Sequence, residues 1–275
     1  LGCFTSFENM KLQFISLASG SSGNCYYLGN DQHGILIDAG IGVRSIKKVL
    51  KENGIAFEKI IALLITHDHA DHIKSAGVLG EKNFIPVYTT EEIHIGMNKN
   101  YAMTEKIYNS RKILFKDQSV RIGDFLVTAF QVPHDGTDNV GYCIEYNDKK
   151  FVFATDLGHI PEDVAGYLSQ ADYLVIEANY DEEMLKNGRY SSFLKQRVAS
   201  NNGHMSNRDT ARYLANSYSD RLQYVFLCHL SQDNNHPELA YKTVEIFLNE
   251  QNIKLGRDLN LTVLKRTVAS EMFVF

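Results

Sequence analysis

Long apolar runs are missing from this sequence. No stretch approaches the roughly 18 to 20 consecutive apolar residues that span a bilayer, and no apolar segment ahead of a small-residue cleavage site marks a leader. Membrane insertion and export are therefore set aside, and a cytoplasmic protein is expected. Cysteine is also sparse. Cys3, Cys25, Cys143 and Cys228 are scattered with no CxxC spacing and no close pairing, a pattern that suits a reducing compartment rather than a disulfide framework. A surplus of positive charge is lacking too: 28 Lys and Arg against 33 Asp and Glu leave a net charge of −5, which argues against a generally basic nucleic-acid coat but leaves room for a local patch. No low-complexity linker interrupts the chain.

What is present is enough for a large core, with 275 residues of which 44% are hydrophobic. Residues 1–9 (LGCFTSFEN) show neither strand nor helix periodicity and read as an N-terminal extension. Residues 10–275 read as one domain. From Leu12, the runs LQFISLA, NCYYLG and GILIDAG give a β-meander. Residues 40–54 carry a helical face at Val43, Ile46, Val49 and Leu50 closed by glycine. IIALLIT is a strand buried on both faces, 70–81 a helix, FIPVYT a strand, and 90–100 a helix started by Thr90 and acidic residues. The second half repeats this order. VRIGDFLVTAFQV, VGYCIEYN and KKFVFATD are strands, with a hairpin signal at 147–150. A helix near 161–169, the strand DYLVIEAN, two helical stretches, the strand LQYVFLCHL and a helix from Pro237 to about Gln251 follow. The repetition predicts an α/β protein of two ββα-type halves packed face to face.

Residues 65–73 read ITHDHADHI, so three of the ten histidines and two aspartates fall within six positions behind a buried strand. A polar turn explains one surface histidine but not this density. Ligands of open α/β sheets gather at the carboxyl ends of strands. His67 and His69, two apart in extended chain, point to one side. Asp71 and His72 open the next helix, aimed at the same space. Two imidazoles for one divalent metal, and a carboxylate with an imidazole for a second about 3.5–4 Å away, meet the needs of a dinuclear centre. Further ligands should also end strands. His134 follows FLVTAFQV with Pro133 between, Asp156 ends KKFVFAT, and His229 ends LQYVFLC. Each has a blander alternative: a helix cap for Asp156, and a hydrogen-bonded histidine at the core edge for His134 and His229.

With these residues assembled, HDHADH resembles the HxHxDH motif of the metallo-β-lactamase fold superfamily, with LIDAG (36–40) before it and single His, Asp and His residues after it in the same order. The resemblance spans most of 10–275. It implies a four-layer αββα sandwich, with His67, His69 and His134 on one metal, Asp71, His72 and His229 on a second, Asp156 bridging, and Asp38 supporting the ligand loop. SLASGSSGNCYYL, IEANYDEEML, GHMSN and CHLSQDNNHPELA are similar to segments of the YycJ/WalJ group of bacterial DNA exonucleases within that superfamily. His159, after TDLG, departs from the expected pattern. GHMS is also similar to the GHAS segment of β-CASP nucleases, but the interval from Asp156 to His204 is too short for an inserted β-CASP domain.

The local chemistry suits a polyanion. Residues 184–214 hold Lys186, Arg189, Lys195, Arg197, Arg208 and Arg212 against the single acid Asp209, with Tyr190, Phe193 and Tyr213 among them. A solvated helical face with buried aromatics is the plainer alternative. Ser206 followed by Asp209 forms an SxxD capping box, so a helix starts beside His204, where free N–H groups favour anions. The expected reaction is metal-assisted phosphodiester hydrolysis using two divalent ions (Zn, Mn or Fe), with Asp71 orienting the nucleophile and His204 stabilising the transition state or acting as general acid. Ser22, Asn24, Arg189, Lys195, Arg197 and Asn207 are the expected substrate contacts; for Ser21, Ser22 and Asn24 a plain glycine-rich turn serves equally well. The expected partner is nucleic acid, DNA ahead of RNA, cut 5′→3′ in DNA repair. A thioester, lactone or cyclic phosphodiester hydrolase on the same fold is the alternative; it needs neither the basic stretch nor His204.

Overall fold

The computed structural model describes residues 11–275; the 1–9 extension, with Cys3, lies outside the described residues. The first sheet begins as an antiparallel meander of β1 (Gln13–Ala18), β2 (Cys25–Gly29) and β3 (Gly34–Ile37). Helix α1 (Val43–Glu52) then returns the chain to β4 (Ile60–Leu64), parallel to β3. Helix α2 (Ala70–Ile73), β5 (Val87–Thr89), α3 (Glu91–Lys99) and β6 (Arg111–Ile113) extend the parallel part. The second sheet repeats the plan. Strands β7 (Ser119–Ile122), β8 (Phe125–Gln131), β9 (Val140–Tyr146) and β10 (Lys149–Ala154) are antiparallel. After α4 (Glu162–Leu168), β11 (Tyr173–Glu177) runs parallel to β10. Helices α5 (Glu182–Asn187), α6 (Ser192–Val198) and α7 (Asn207–Asn216) precede β12 (Tyr224–Cys228), and α8 (Pro237–Glu250) precedes β13 (Asn260–Val263). The last strand, β14 (Phe273–Val274), crosses back to pair with β1, giving orders β14-β1-β2-β3-β4-β5-β6 and β13-β12-β11-β10-β9-β8-β7.

Period-two burial explains how the sheets stack. Along β10, β11 and β12, Phe151, Phe153, Tyr173, Val175 and Phe226 face the first sheet, while Val152, Ala154, Leu174, Ile176, Val225 and Leu227 face outward. Phe14 of β1 meets Phe226 at 4.7 Å and Phe151 at 4.9 Å between ring centroids, which joins the two inner faces. The outward face is covered by Val164 and Leu168 of α4, Ala211 and Leu214 of α7, and Ala240, Val244 and Leu248 of α8. Ile46 and Leu50 of α1 and Ile93 and Met97 of α3 cover the first sheet. The result is a four-layer αββα sandwich with no second domain inserted between Asp156 and His204.

Several local expectations need correction. The run VRIGDFLVTAFQV (120–132) is a hairpin of β7 and β8, because Gly123 takes φ +56° and turns the chain. The helix over 70–81 breaks after Ile73 and resumes with a π-helical turn at Val78–Lys82, where Gly77 is pressed on the Glu105 carbonyl. Three helices, not two, lie between β11 and β12. Strands β6, β13 and β14 escaped notice because they are short and half-exposed at sheet edges.

Candidate metal centre

The chemistry-bearing residues leave the C-terminal ends of strands in both sheets and meet at one rim of the sandwich. His67 and His69 follow β4; His134, Asp156, Glu177 and His229 follow or end β8, β10, β11 and β12. His67, His69 and His134 each offer a ligand atom within 4.8 Å of the others, and so do Asp71, His72 and His229. Asp156 joins both groups: its carboxylate lies 3.2 Å from His72 Nε2, 3.8 Å from His134 Nε2 and 3.1 Å from His229 Nδ1.

Four of the imidazoles are oriented from behind. His72 Nδ1 lies 2.7 Å from Asp38 Oδ2, His67 Nδ1 3.0 Å from Thr66 Oγ1, and His229 Nδ1 2.9 Å from Glu177 Oε1. His134 Nδ1 donates to the Gly203 carbonyl at 2.9 Å. Such partners fix the tautomer and turn Nε2 toward the centre. The backbone is held just as closely. Asp38 (φ 59°) and His229 (φ 53°) sit in the left-handed region, which costs on the order of 1–3 kcal/mol each and persists only where neighbours over-determine it. At Gly40 of LIDAG, an added Cβ would lie 1.6 Å from the Asp71 carbonyl oxygen, so only glycine lets the ligand loop approach.

Electrostatics sort the histidines. Burial pushes His67 and His134 below the ordinary imidazole range, leaving neutral rings with a lone pair to give. At His72 burial also opposes charge, but Asp38 and Asp156 outweigh it and raise the pKa; at His229 Asp156 does the same. For Asp156, burial opposes ionisation and the His229 and His72 charges overcome it. Four carboxylates, Asp38, Asp71, Asp156 and Glu177, thus converge on the cluster, and all but Asp71 are buried. His67 Nε2, His134 Nε2, His229 Nε2 and Asp156 Oδ2 are buried with no hydrogen-bond partner among the described residues. Orphaned polar atoms that face one another across a few ångströms, beside four carboxylates, fit divalent cations.

A family model described as the β-lactamase superfamily domain matches residues 33–226. The chain is 36% identical over 248 residues to exodeoxyribonuclease YycJ of Bacillus anthracis, covering 90% of this chain and 93% of that protein. The chain belongs to this family. It is also 37% identical over 252 residues to exodeoxyribonuclease WalJ of Streptococcus pneumoniae, covering 91% of this chain and 93% of the relative. In fold, the metallo-β-lactamase fold protein YhfI of Bacillus subtilis superimposes with a TM-score of 0.69 at 17% identity, covering 97% of this chain and all of YhfI. As a member of the YycJ/WalJ group of metallo-β-lactamase-fold proteins, the chain is a metal-dependent hydrolase.

Around this family centre the structure adds a residue that sequence reasoning missed. Glu177, fully buried at the end of β11, accepts from His204 Nδ1 at 2.7 Å and lies against His229 Nδ1. Its Oε2 also accepts the backbone N–H of Leu157 at 3.0 Å and of Met205 at 3.2 Å. The available signal was a carboxylate closing the apolar run YLVIE. Glu177 places His204 within 3.8 Å of Asp156, just before α7, whose cap is the predicted one: Ser206 Oγ accepts the Asp209 N–H at 3.0 Å. Burial opposes charge on His204, but Glu177 outweighs it and raises the pKa.

The expected substrate contacts scatter. Asn24 is buried, its amide spent on Gly20 O, Asp71 and His72. Asn207 is buried in a reciprocal amide pair with Asn235. Ser22 is exposed on the turn before β2. Arg197 Nε binds Asp135 at 2.5 Å, and Asp135 lies 3.4 Å from His134 Nε2. Arg208 pairs with Glu182, Arg212 with Asp209 and Lys186 with Glu183. Among the described residues no carboxylate lies within 4 Å of Arg189 or Lys195. Of the interleaved aromatics, Phe193 is exposed, while Tyr190 and Tyr213 are half-buried. No described helix is long and apolar enough to cross a membrane.

Proposed function

We propose that the chain is a dinuclear metal-dependent phosphodiesterase that shortens DNA from 5′ ends in the cytoplasm and serves DNA repair. The observation that carries this reading is His204: an imidazole outside the two ligand triads, held at the centre by Glu177 and next to the free N–H groups that open α7. A thioester or lactone hydrolase on this fold has no use for a group so placed. Relatives across nine-tenths of the chain carry the name exodeoxyribonuclease, which supports the same substrate class.

In this reading His67, His69 and His134 hold one cation, Asp71, His72 and His229 the other, and Asp156 bridges; zinc, manganese or iron suits such ligands. Divalent cations there supply Lewis acidity toward phosphoryl oxygens and lower the pKa of water. Asp71, whose side chain is 22% exposed, is the ligand carboxylate open to solvent and orients the attacking oxygen while Asn24 holds it from behind at 3.2 Å. His204, with Nδ1 bound to Glu177, presents Nε2 to the phosphate and gives a proton to the leaving oxygen. Ser22, Arg189, Lys195 and Arg197 contact the polyanion outside the centre, Arg197 by exchanging Asp135 for phosphate.

The test is degradation of end-labelled single- and double-stranded DNA and RNA by metal-reconstituted protein, with His67→Ala as blank. Stepwise shortening from a 5′ end, absent in the variant, is expected. Hydrolysis of a thioester or cyclic phosphate with all nucleic acid left intact would overturn the reading.

A further inference from the structure

His204 faces two spaces. On one side it meets Asp156 and Glu177; on the other it lines a cavity of about 480 Å³ with His159, Asn201, Arg212, Tyr213 and Asn216. The walls are fixed. Gly158 packs so tightly on the Asn201 carbonyl that an added Cβ would come within 2.1 Å of it, and its N–H bonds Pro133 O at 2.8 Å. His159 Nδ1 donates to Asn201 O at 2.9 Å, which leaves Nε2 as an outward acceptor. Arg212 gives one nitrogen to Asp209 at 2.8 Å and is otherwise open at the rim, its side chain 53% exposed. Asp209 also accepts from Ser206 Oγ at 2.8 Å, so its charge is answered on two sides. Tyr213 adds a half-buried aromatic wall.

We propose that this cavity seats the terminal nucleotide of a single DNA strand, so that the first internucleotide phosphate lies at His204. The proposal rests on the phosphodiesterase reading and names its substrate more narrowly. Ligand pockets run from about 300 to 1,000 Å³, and this one has room for one nucleotide and none for a duplex. A seat of that size beside the reacting phosphate measures cleavage from an end. A 5′-terminal nucleotide in the seat sets the direction of cleavage. The group on the His204 side of phosphorus is the one whose oxygen leaves: an oxygen of water bonds to phosphorus, the P–O3′ bond breaks, and the proton on His204 Nε2 passes to O3′. The released nucleotide carries a 3′-hydroxyl and the shortened strand a new 5′-phosphate. That phosphate becomes the end group for the next round, where Arg212 meets it. His159 Nε2 accepts from the base or sugar, and Tyr213 supports the base by stacking.

Two variants on the exposed side of α7 test the seat in the metal-reconstituted full chain. Asn216→Trp fills the cavity from the last turn of the helix, and Arg212→Ala removes the rim cation. Wild type should prefer single-stranded to blunt duplex ends and 5′-phosphorylated to 5′-hydroxyl oligonucleotides. N216W should raise KM for oligonucleotides at least about tenfold, well beyond its effect on bis(p-nitrophenyl) phosphate, which needs only the centre. R212A should lower the 5′-phosphate preference roughly tenfold. If wild type shortens DNA and both variants match it on every substrate, the cavity is not the seat and the parent reading stands. If wild type cleaves the small diester and no oligonucleotide, the parent reading falls and the seat with it.

Discussion

Glu177 joins two imidazoles with one carboxylate, so its removal should be felt twice. Glu177→Gln keeps the shape and loses the charge that holds His204 and His229; a loss of about 10- to 100-fold in kcat, larger than the change in KM, is expected from steady-state kinetics. His204→Ala should keep bound metal and lose most turnover, and full activity in that variant would remove its catalytic role. Glu81 allows a prediction separate from catalysis. Partial burial opposes its charge, but the Ser110 and Tyr108 N–H groups and the Asn109 side chain outweigh it and lower its pKa from 4.5 to about 2. Its stabilisation is therefore full above pH 4.5 and lost as pH falls toward 2. Against wild type, Glu81→Gln should cost about 1–2 kcal/mol at neutral pH after solvent screening, with the gap closing below pH 4 in denaturant titrations. At this scale the sequence was most legible where residue type and spacing were dense: the seven ligand candidates converge as two triads and a shared aspartate. Glu177 was not legible because one carboxylate after one strand looks like any strand end until β11 lies between β10 and β12.

Among elements, α7 connects stability to the site. Ser206 caps it while its neighbour His204 lines the centre, so Ser206→Ala should lower stability by about 1 kcal/mol and reduce activity together. Unchanged thermal stability would show that the cap contributes nothing. The strands that carry ligands were readable because they are continuous apolar runs, buried on both faces. The helices between β11 and β12 were harder: α5 and α6 are short, and α6 opens at Ser191 and closes at Ala199 without a glycine stop. The basic residues on them gave a charge pattern but not its use. Arg197, Arg208 and Arg212 each pair with an acid, Glu182 and Asp135 lying outside the segment that looked so uniformly basic.

Over the whole molecule, the two sheets repeat one plan and bury the Phe14, Phe151 and Phe226 rings between them. Strand β14 fastens the end of the chain to β1 in the opposite sheet. We propose that residues 10–275 unfold as one unit, which calorimetry should record as a single transition; two resolved transitions would mean that the halves fold separately. Chelation should lower the midpoint by on the order of 5–10 °C, because buried carboxylates and orphaned imidazole nitrogens lose the cations they face. The repeated plan was legible from the recurrence of meander, helix and buried strand. The crossing of β14 was not, because two paired residues give no period.

We propose that the centre acts only when both triads, His67, His69 and His134 and Asp71, His72 and His229, are filled. Nuclease activity on a 5′-labelled strand should be followed while metal is returned to the stripped protein and bound equivalents are counted. Activity that appears with the second equivalent, plateaus at two per chain and is absent in His67→Ala is the predicted result. Full activity at one equivalent, or two bound equivalents with the labelled strand uncut, would contradict it.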